Sequence, residues 1–170
     1  MRFTPSLKFA SLALAIAGFA SAPASFAATA SGSMTVTANV LSSCVVTSTP
    51  LTFGNYAMGT VDSNAWITVT CTPDISNYNV ALDAGIGSGA TTSARKLTTS
   101  TGSTLNYSLY RNSGRSQNWG DVAGTDTVTE VFGSVVSTAT KNFTVYARIP
   151  AAQIPGVGVY GDTVQVTVNY

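Results

Sequence analysis

Apolar and polar residues alternate strictly between positions 33 and 41 of the chain. One side of an extended backbone would carry the polar residues Thr35, Thr37 and Asn39. The other side would carry Met34, Val36, Ala38 and Val40. This period of two predicts a strand with one buried face, and such a strand needs a partner to cover that face.

A second regular alternation occupies residues 163–170. Three valines lie on one face, and Tyr170 follows them; the valines are Val164, Val166 and Val168. Two interpretations are open from this pattern. The two segments are the first and last strands of a complete sandwich, or the N-terminal one leaves its own domain and completes the sheet of another copy.

The rest of the chain is dominated by alternating or β-branched runs separated by turn signals, and no segment shows a capped 3.6-residue apolar period. The predicted strands are residues 33–41, 44–47, 51–56, 66–71, 78–83, 105–110, 128–136, 143–149 and 163–170. Their number and spacing predict an all-β chain, an immunoglobulin-like antiparallel β-sandwich. A closed barrel is the alternative that the pattern leaves open.

The N-terminal segment has the three parts of a secretory signal. Arg2 and Lys8 form its basic part, residues 9–20 form an apolar run, and residues 25–27 are small enough for cleavage. The run is shorter than the roughly 18 apolar residues of a spanning helix. We therefore expect a signal peptide at 1–27, an N-terminal arm at 28–43 and one domain at 44–170.

Charge and composition narrow the possible partners. Charged residues make up 9% of the chain, which is typical of a sheet whose outer face carries hydroxyl groups. Without Arg2 and Lys8, six basic residues face seven acidic ones. The remaining Lys and Arg residues form no cluster, and Arg111 and Arg115 are only a sparse pair. The chain therefore lacks the basic cluster that nucleic-acid binding requires.

Two cysteines in an exported chain indicate a disulfide between Cys44 and Cys71. Closing that loop would stabilise the fold by roughly 3 to 4 kcal/mol on the chain-entropy account. Free thiols or an intermolecular link are the alternatives.

The chain contains no histidine, which excludes the histidine-dependent triads and the commonest zinc and copper ligand sets. Its acidic residues fall mostly at predicted turns and strand ends, where Asp hydrogen-bonds its own backbone. The glycine-rich run at 85–89 lacks the Lys-Ser/Thr ending of a phosphate loop. We expect no catalytic residue, metal or cofactor, and no enzyme activity.

Aromatic residues offer one further possibility, a sugar-binding face. Trp66 precedes Ile67 in an apolar run, so we expect it in the core. Trp119, and the 107–110 strand with its two tyrosines, are the candidates for such a face. A self-contained coat or carbohydrate-binding sandwich is therefore the alternative function.

A set of short motifs spread over the mature chain resembles the spore coat protein U domain. The motifs are CVV at 44–46, LTFGNY at 51–56, VTCT at 69–72, YNVALDAG at 78–85, LNYSLY at 105–110, WG at 119–120, YARIP at 146–150 and YGDTVQVTVNY at 160–170. Leu97 departs from the Met that the family more often carries. In exported bacterial proteins this domain is the pilin of archaic chaperone-usher (Csu-type) pili.

The resemblance implies an incomplete sandwich whose missing strand a neighbouring subunit supplies. Its arm would donate Met34, Val36, Ala38 and Val40, while Val164, Val166, Val168 and Tyr170 would form the edge that a chaperone grips. The implied role is the major shaft subunit, because a tip subunit usually carries a second, receptor-binding domain.

The same resemblance implies the partners and the location. The partners would be identical subunits in a fibre, a periplasmic chaperone, an outer-membrane usher, and tip and adaptor subunits. The protein would pass through the periplasm to a cell-surface pilus that supports adhesion and biofilm formation.

Overall fold

The computed structural model describes residues 28–132 and 138–170, and every regular element in them is a strand. The strands are β1 (Cys44–Ser48), β2 (Val61–Cys71), β3 (Asn77–Leu82), β4 (Arg95–Thr98), β5 (Thr104–Tyr110), β6 (Val128–Val131), β7 (Ala139–Ile149) and β8 (Val166–Asn169). They form two antiparallel sheets, a five-stranded one in the order β1-β2-β7-β5-β4 and a three-stranded one in the order β6-β3-β8. The predicted all-β sandwich is confirmed.

The pairing of β2 with β7 is the longest in the domain. It runs without interruption from Val61 opposite Ile149 to Cys71 opposite Ala139. Because side chains alternate along both strands, every second residue of each points into the sandwich. Ala65, Ile67 and Val69 on β2 are buried in this way.

The core lies between the two sheets. Trp119 is 1% exposed and its indole nitrogen donates a hydrogen bond to the carbonyl of Val80 at 2.9 Å, so its one polar atom is satisfied. Phe143 packs edge-on against both Trp119 and Tyr78. Full burial of one such side chain contributes roughly 1.5 to 3 kcal/mol, which makes this cluster a main source of stability.

Each sheet has an unpaired edge on the same side of the sandwich. Within the described residues β1 pairs only with β2, and β8 pairs only with β3. The two strands approach each other across the sheets. No described strand lies between them, so the sandwich is open along this line and does not close into a barrel.

Several predicted strands differ from the observed ones. Residues 33–41 and 51–56 form no strand, because a segment with the side chains of a strand becomes one only where a neighbour supplies backbone partners. Residues 95–98 form β4, which the pattern did not indicate. The predicted strand at 128–136 is observed at Val128–Val131, and residues 133–137 lie outside the described part. The predicted signal peptide at 1–27 also lies outside it.

The prediction that Trp66 belongs to the core is wrong. Trp66 is 54% exposed, because it alternates with the buried Ala65 and Ile67 and therefore faces outward from β2.

The disulfide between Cys44 and Cys71 is present and joins β1 to β2. Nowhere in residues 28–132 or 138–170 does a helix reach the length and apolarity needed to cross a membrane.

Candidate functional site: an open groove between two sheet edges

A cavity of about 210 Å³ opens between the unpaired edges of the two sheets. One wall comes from the end of β1 and the segment after it, with Leu51 and Phe53 as its apolar side chains. The opposite wall is the segment that leads into β8. The floor consists of core side chains from both sheets, so the groove gives access to the interior of the sandwich. They are Ala65, Ile67, Leu82, Tyr107, Leu109 and Val145.

The valines predicted at the groove edge belong to β8 and to the segment that leads into it. Val164 and Val166 line the cavity, and Val168 packs against the core from β8. All three are half-buried, because each reaches the core while its strand lacks a neighbour on one side. Tyr170 is 59% exposed. The wall is thus apolar and has unpaired backbone groups, the two features that strand addition uses.

A polar cluster anchors the groove wall where it leads into β8. The Asp162 carboxylate accepts hydrogen bonds from the Tyr107 hydroxyl at 2.8 Å, from the Ile86 amide at 2.8 Å and from the Thr163 amide at 2.8 Å. Burial first, and then the bond to Asp162, raises the pKa of Tyr107 above its ordinary range. Tyr107 therefore stays a hydrogen-bond donor at any physiological pH.

Asp83 is a second carboxylate that holds the groove wall by hydrogen bonds. Its carboxylate accepts hydrogen bonds from the amide of Gly85 and from that of Gln165, both at 2.9 Å. Gly85 has a φ of +77°, and a Cβ at this position would collide with the Asp162 carboxylate. Only glycine fits here, because it adopts positive φ at no steric cost and leaves room for Asp162.

Arg95 is a buried cation beside this cluster. It is fully buried and donates to four backbone carbonyls: those of Asp83 at 2.8 Å, Thr92 at 2.6 Å, Leu82 at 2.9 Å and Trp119 at 2.8 Å. Burial lowers the pKa of Arg95, while the neighbouring tyrosine and carboxylates oppose the shift. The guanidinium fork thus ties β4 to the end of β3 and to the Trp119 segment.

The residues predicted as the donor strand are exposed. Residues 28–38 belong to a unit of their own and contain no strand or helix. Within it Met34 is 84% exposed and Val36 is 78% exposed, and Ala38 is exposed as well. Val40, in the following segment, is 91% exposed. Their apolar face is therefore available for a partner.

The root of the arm is held firmly. Ser42 donates its hydroxyl to the Asp74 carboxylate, and the Ser43 amide donates to the Thr72 hydroxyl at 3.0 Å. The disulfide of Cys44 follows immediately. These bonds fix the point at which the chain enters β1.

The alternating valines stand out in the sequence, whereas the other residues that line the groove do not. Leu51 and Phe53 were assigned to a strand, whereas they line a cavity without pairing. Arg95 gave no apolar signal, because a buried cation satisfied by carbonyls looks like any surface arginine in a sequence. The sugar-binding candidates Trp119 and Tyr107 are 1% and 3% exposed, so neither can stack on a sugar.

Comparison with protein families decides how this groove is to be interpreted. Residues 30–167 match the model of the Spore Coat Protein U domain. The chain belongs to this family. The resemblance seen in the sequence motifs is thereby confirmed for nearly the whole described region.

A solved structure resembles this spore coat U domain. It is the crystal structure of the CsuC-CsuE chaperone-tip adhesion subunit pre-assembly complex from archaic chaperone-usher Csu pili of Acinetobacter baumannii. The identity is 25%, the alignment covers 77% of this chain and the TM-score is 0.53. The chain spans 40% of the length of the matched chain. Among curated proteins no match was found.

The family and this neighbour support a pilus subunit, and the spore coat U family is structural rather than enzymatic. Over residues 28–132 and 138–170, no group of three or more acidic, Cys or His side chains could hold a metal ion. The groove has an apolar wall and is bordered by the β1 and β8 edges, which no described strand covers, so it is a candidate interface for a polypeptide strand.

Proposed function

We propose that this chain is a shaft subunit of a chaperone-usher pilus and that it polymerises by donor-strand exchange. The observation that supports the proposal most directly is the open groove between β1 and β8. The same chain carries an exposed alternating segment of strand length. A repeating subunit needs both features, one to accept a strand and one to donate a strand.

The arm and the groove are complementary in chemistry and size. Nine residues in β conformation span about 30 Å, enough to run the length of β8 and the segment before it. The donor face is Met34, Val36, Ala38 and Val40. The groove wall carries Val164 and Val166, and Val168 follows them on β8. Each fully buried apolar side chain would contribute roughly 1.5 to 3 kcal/mol.

Backbone pairing would add to this free energy. Each hydrogen bond along the free edge of β8 would contribute roughly 0.5 to 1.5 kcal/mol net. The inserted strand would also protect edges that otherwise promote aggregation. Because a contact between an arm and another copy's groove is heterologous and does not close on itself, it generates a fibre.

The proposal extends to partners and location. Before assembly the open groove needs a temporary partner, which is the role of a periplasmic chaperone, and the solved neighbour is itself a chaperone complex. An outer-membrane usher, tip and adaptor subunits, and a cell-surface location complete the proposal. Cleavage of residues 1–27, an arm at 28–43 and a pilin domain at 44–170 are part of it.

Deletion of the arm tests the proposal. The full chain and a variant lacking residues 28–41 are produced with the candidate chaperone and usher, and polymers are separated by SDS electrophoresis with and without boiling. We expect a ladder that survives SDS and collapses on boiling for the full chain, and only the monomer for the deletion variant.

A control keeps the comparison interpretable. Both proteins must be recovered in complex with the chaperone, because the groove is intact in both. A stable, chaperone-independent monomer from the full chain would contradict the proposal and favour a self-contained coat protein.

A further inference from the structure

Three apolar side chains within six consecutive residues of the segment between β7 and β8 are fully exposed. Ile154 is 90% exposed, Val157 is 109% exposed and Val159 is 92% exposed. The Met58 side chain is 61% exposed, and the Met58 carbonyl accepts a hydrogen bond at 2.9 Å from the amide of Ala152, two residues before Ile154. We call Met58, Ile154, Val157 and Val159 the apolar end patch.

The segment that carries this patch is fixed to the domain. Gln153 binds the backbone of Asn106 as a neighbouring strand would, with its Oε1 accepting from the amide at 2.7 Å and its Nε2 donating to the carbonyl at 2.9 Å. The Gln153 amide donates to the Tyr56 hydroxyl at 3.0 Å. The patch residues therefore project from a backbone that is already ordered.

Two further bonds hold the other half of the segment. The Gly156 amide donates to the Ser103 hydroxyl at 3.3 Å, and the Tyr160 hydroxyl donates to the Gly156 carbonyl at 2.6 Å. Because the backbone is anchored on both sides of the patch, a partner could cover these side chains with little loss of conformational entropy. Single exposed apolar residues need no explanation, but a cluster on an ordered segment marks an interaction site.

The position of the patch in the topology identifies the partner. The segment begins where β7 ends at Ile149 and leads through Asp162 into the groove wall and β8. The patch therefore lies at the end of the groove where β8 begins. A strand that completes an immunoglobulin-like sheet next to β8 runs antiparallel to it. The last residues of that strand then lie beside the first residues of β8.

If the inserted strand is the arm of another subunit, its C-terminal residues lead directly into that donor's own domain at Cys44. The donor's domain must therefore emerge beside the apolar end patch of the acceptor. The opposite end of the domain, where its arm is rooted, carries exposed apolar side chains of its own. Val131, which pairs with Asn77 at the start of β3, is 72% exposed, and Tyr170 is 59% exposed.

We infer that the apolar end patch forms a second contact between successive subunits, against the arm-bearing end of the donor's domain. The inference rests on the proposed strand exchange and adds a contact outside the groove. The inserted strand provides the strength of the joint, and the patch restricts the angle between neighbouring domains. The two ends are different surfaces, as a head-to-tail fibre requires.

The test uses intact fibres made with chaperone and usher. One variant combines Ile154→Asp, Val157→Asp and Val159→Asp, and the control is Val122→Asp. Val122 is 53% exposed in the segment before β6, at the opposite edge of the three-stranded sheet from β8. Fibres are compared by SDS electrophoresis and by electron microscopy, which gives the persistence length and the axial repeat.

We expect the patch variant to form SDS-resistant ladders like those of the wild type. Its fibres should bend more easily, with a persistence length at least about twofold shorter or a changed axial repeat, because charge cannot be buried in the contact. The control should match the wild type in both measurements.

Three results would overturn the inference. Unchanged fibre geometry in the patch variant would show that the patch is not a subunit contact. Loss of the chaperone complex would assign the patch to the chaperone. Unchanged fibres with weaker adhesion to an apolar surface such as polystyrene would assign it to adhesion. Failure of wild-type ladders would instead contradict the proposed function itself.

Discussion

The hydroxyl of Tyr107 lies 2.8 Å from Oδ2 of Asp162 and donates a hydrogen bond to it. Tyr107 belongs to β5 of the five-stranded sheet, and Asp162 precedes β8 of the three-stranded sheet. The bond therefore joins the two sheets directly at the groove. It holds the wall in place while the groove is empty of a strand.

Replacement of Tyr107 by Phe should weaken this link without removing the ring that floors the groove. We expect a loss of about 1.5 to 3 kcal/mol in the free energy of unfolding, the range for a hydrogen bond to a charged group. Urea unfolding of the chaperone-free domain, completed by an added peptide of residues 28–41, measures it. Tyr110→Phe, a half-buried residue on the same strand, is the control, and an equal loss there would contradict the assignment.

Charge on the donor face should block assembly. Val36→Asp or Val40→Asp places an ionised carboxylate against an apolar groove, which is costly unless the charge is paired. We expect SDS-resistant ladders to disappear while the complex with the chaperone is retained. Thr37→Asp adds the same charge to the opposite side of the arm and should leave the ladders intact. Ladders of normal length in the Val36 variant would show that the arm is not the donor.

Arg95 should be among the least replaceable residues of the domain. Arg95→Met leaves four backbone carbonyls, two of them buried and two partly buried, without this donor. We expect a loss of about 3 kcal/mol or more in the free energy of unfolding. Arg95→Lys should fall between this variant and the wild type, because an ammonium group cannot reproduce the planar fork. If Arg95→Met does not fold, the yield of Arg95→Lys in complex with the chaperone provides the comparison.

Lys141→Met is the control for loss of a cation, since Lys141 is exposed and pairs with Glu130 at 2.9 Å. Exposed pairs contribute about 1 kcal/mol at most. An Arg95→Met variant as stable as this control would contradict the role given to the buried guanidinium.

Asp62 should make stability depend on acid pH. Its hydrogen bond to Arg148, together with the charges of Arg115 and Arg148, lowers the pKa of Asp62 below its ordinary value of 3.8. A lowered pKa stabilises the fold above the unfolded pKa, and this stabilisation disappears as the pH falls through the folded pKa. The effect is small, because the pair is partly exposed and screened by solvent.

Asp62→Asn should therefore lower the Tm slightly near neutral pH, and the difference from the wild type should vanish at about pH 2. Thermal unfolding at both pH values, in low salt, checks this expectation. Asp121→Asn, an exposed carboxylate outside the ion pairs of the described residues, is the control. A difference that grows as the pH falls would contradict the sign of the effect.

Much of the fold could be predicted from alternation and from β-branched runs. Such patterns become strands where the segment has a neighbouring strand to pair with and a core to cover one of its faces. The core strands at 66–71, 78–83, 105–110 and 143–149 were found this way. The segment at 51–56, with apolar residues at 51, 53 and 56, was also predicted as a strand and forms none. It has the side chains for a core but lacks a backbone partner, and a sequence does not show whether a partner is present.

The sequence by itself determined the all-β class, the disulfide, the family and the alternation of Val164, Val166 and Val168. These depend on composition, period and short motifs, which are local properties of the chain. Only the tertiary structure decided that Trp66 faces outward and Trp119 inward, that Arg95 is buried among carbonyls, and that β1 and β8 leave a groove between them. Those features depend on which strands lie side by side. The pairing of strands that are far apart in sequence is decided by the packing of the whole domain.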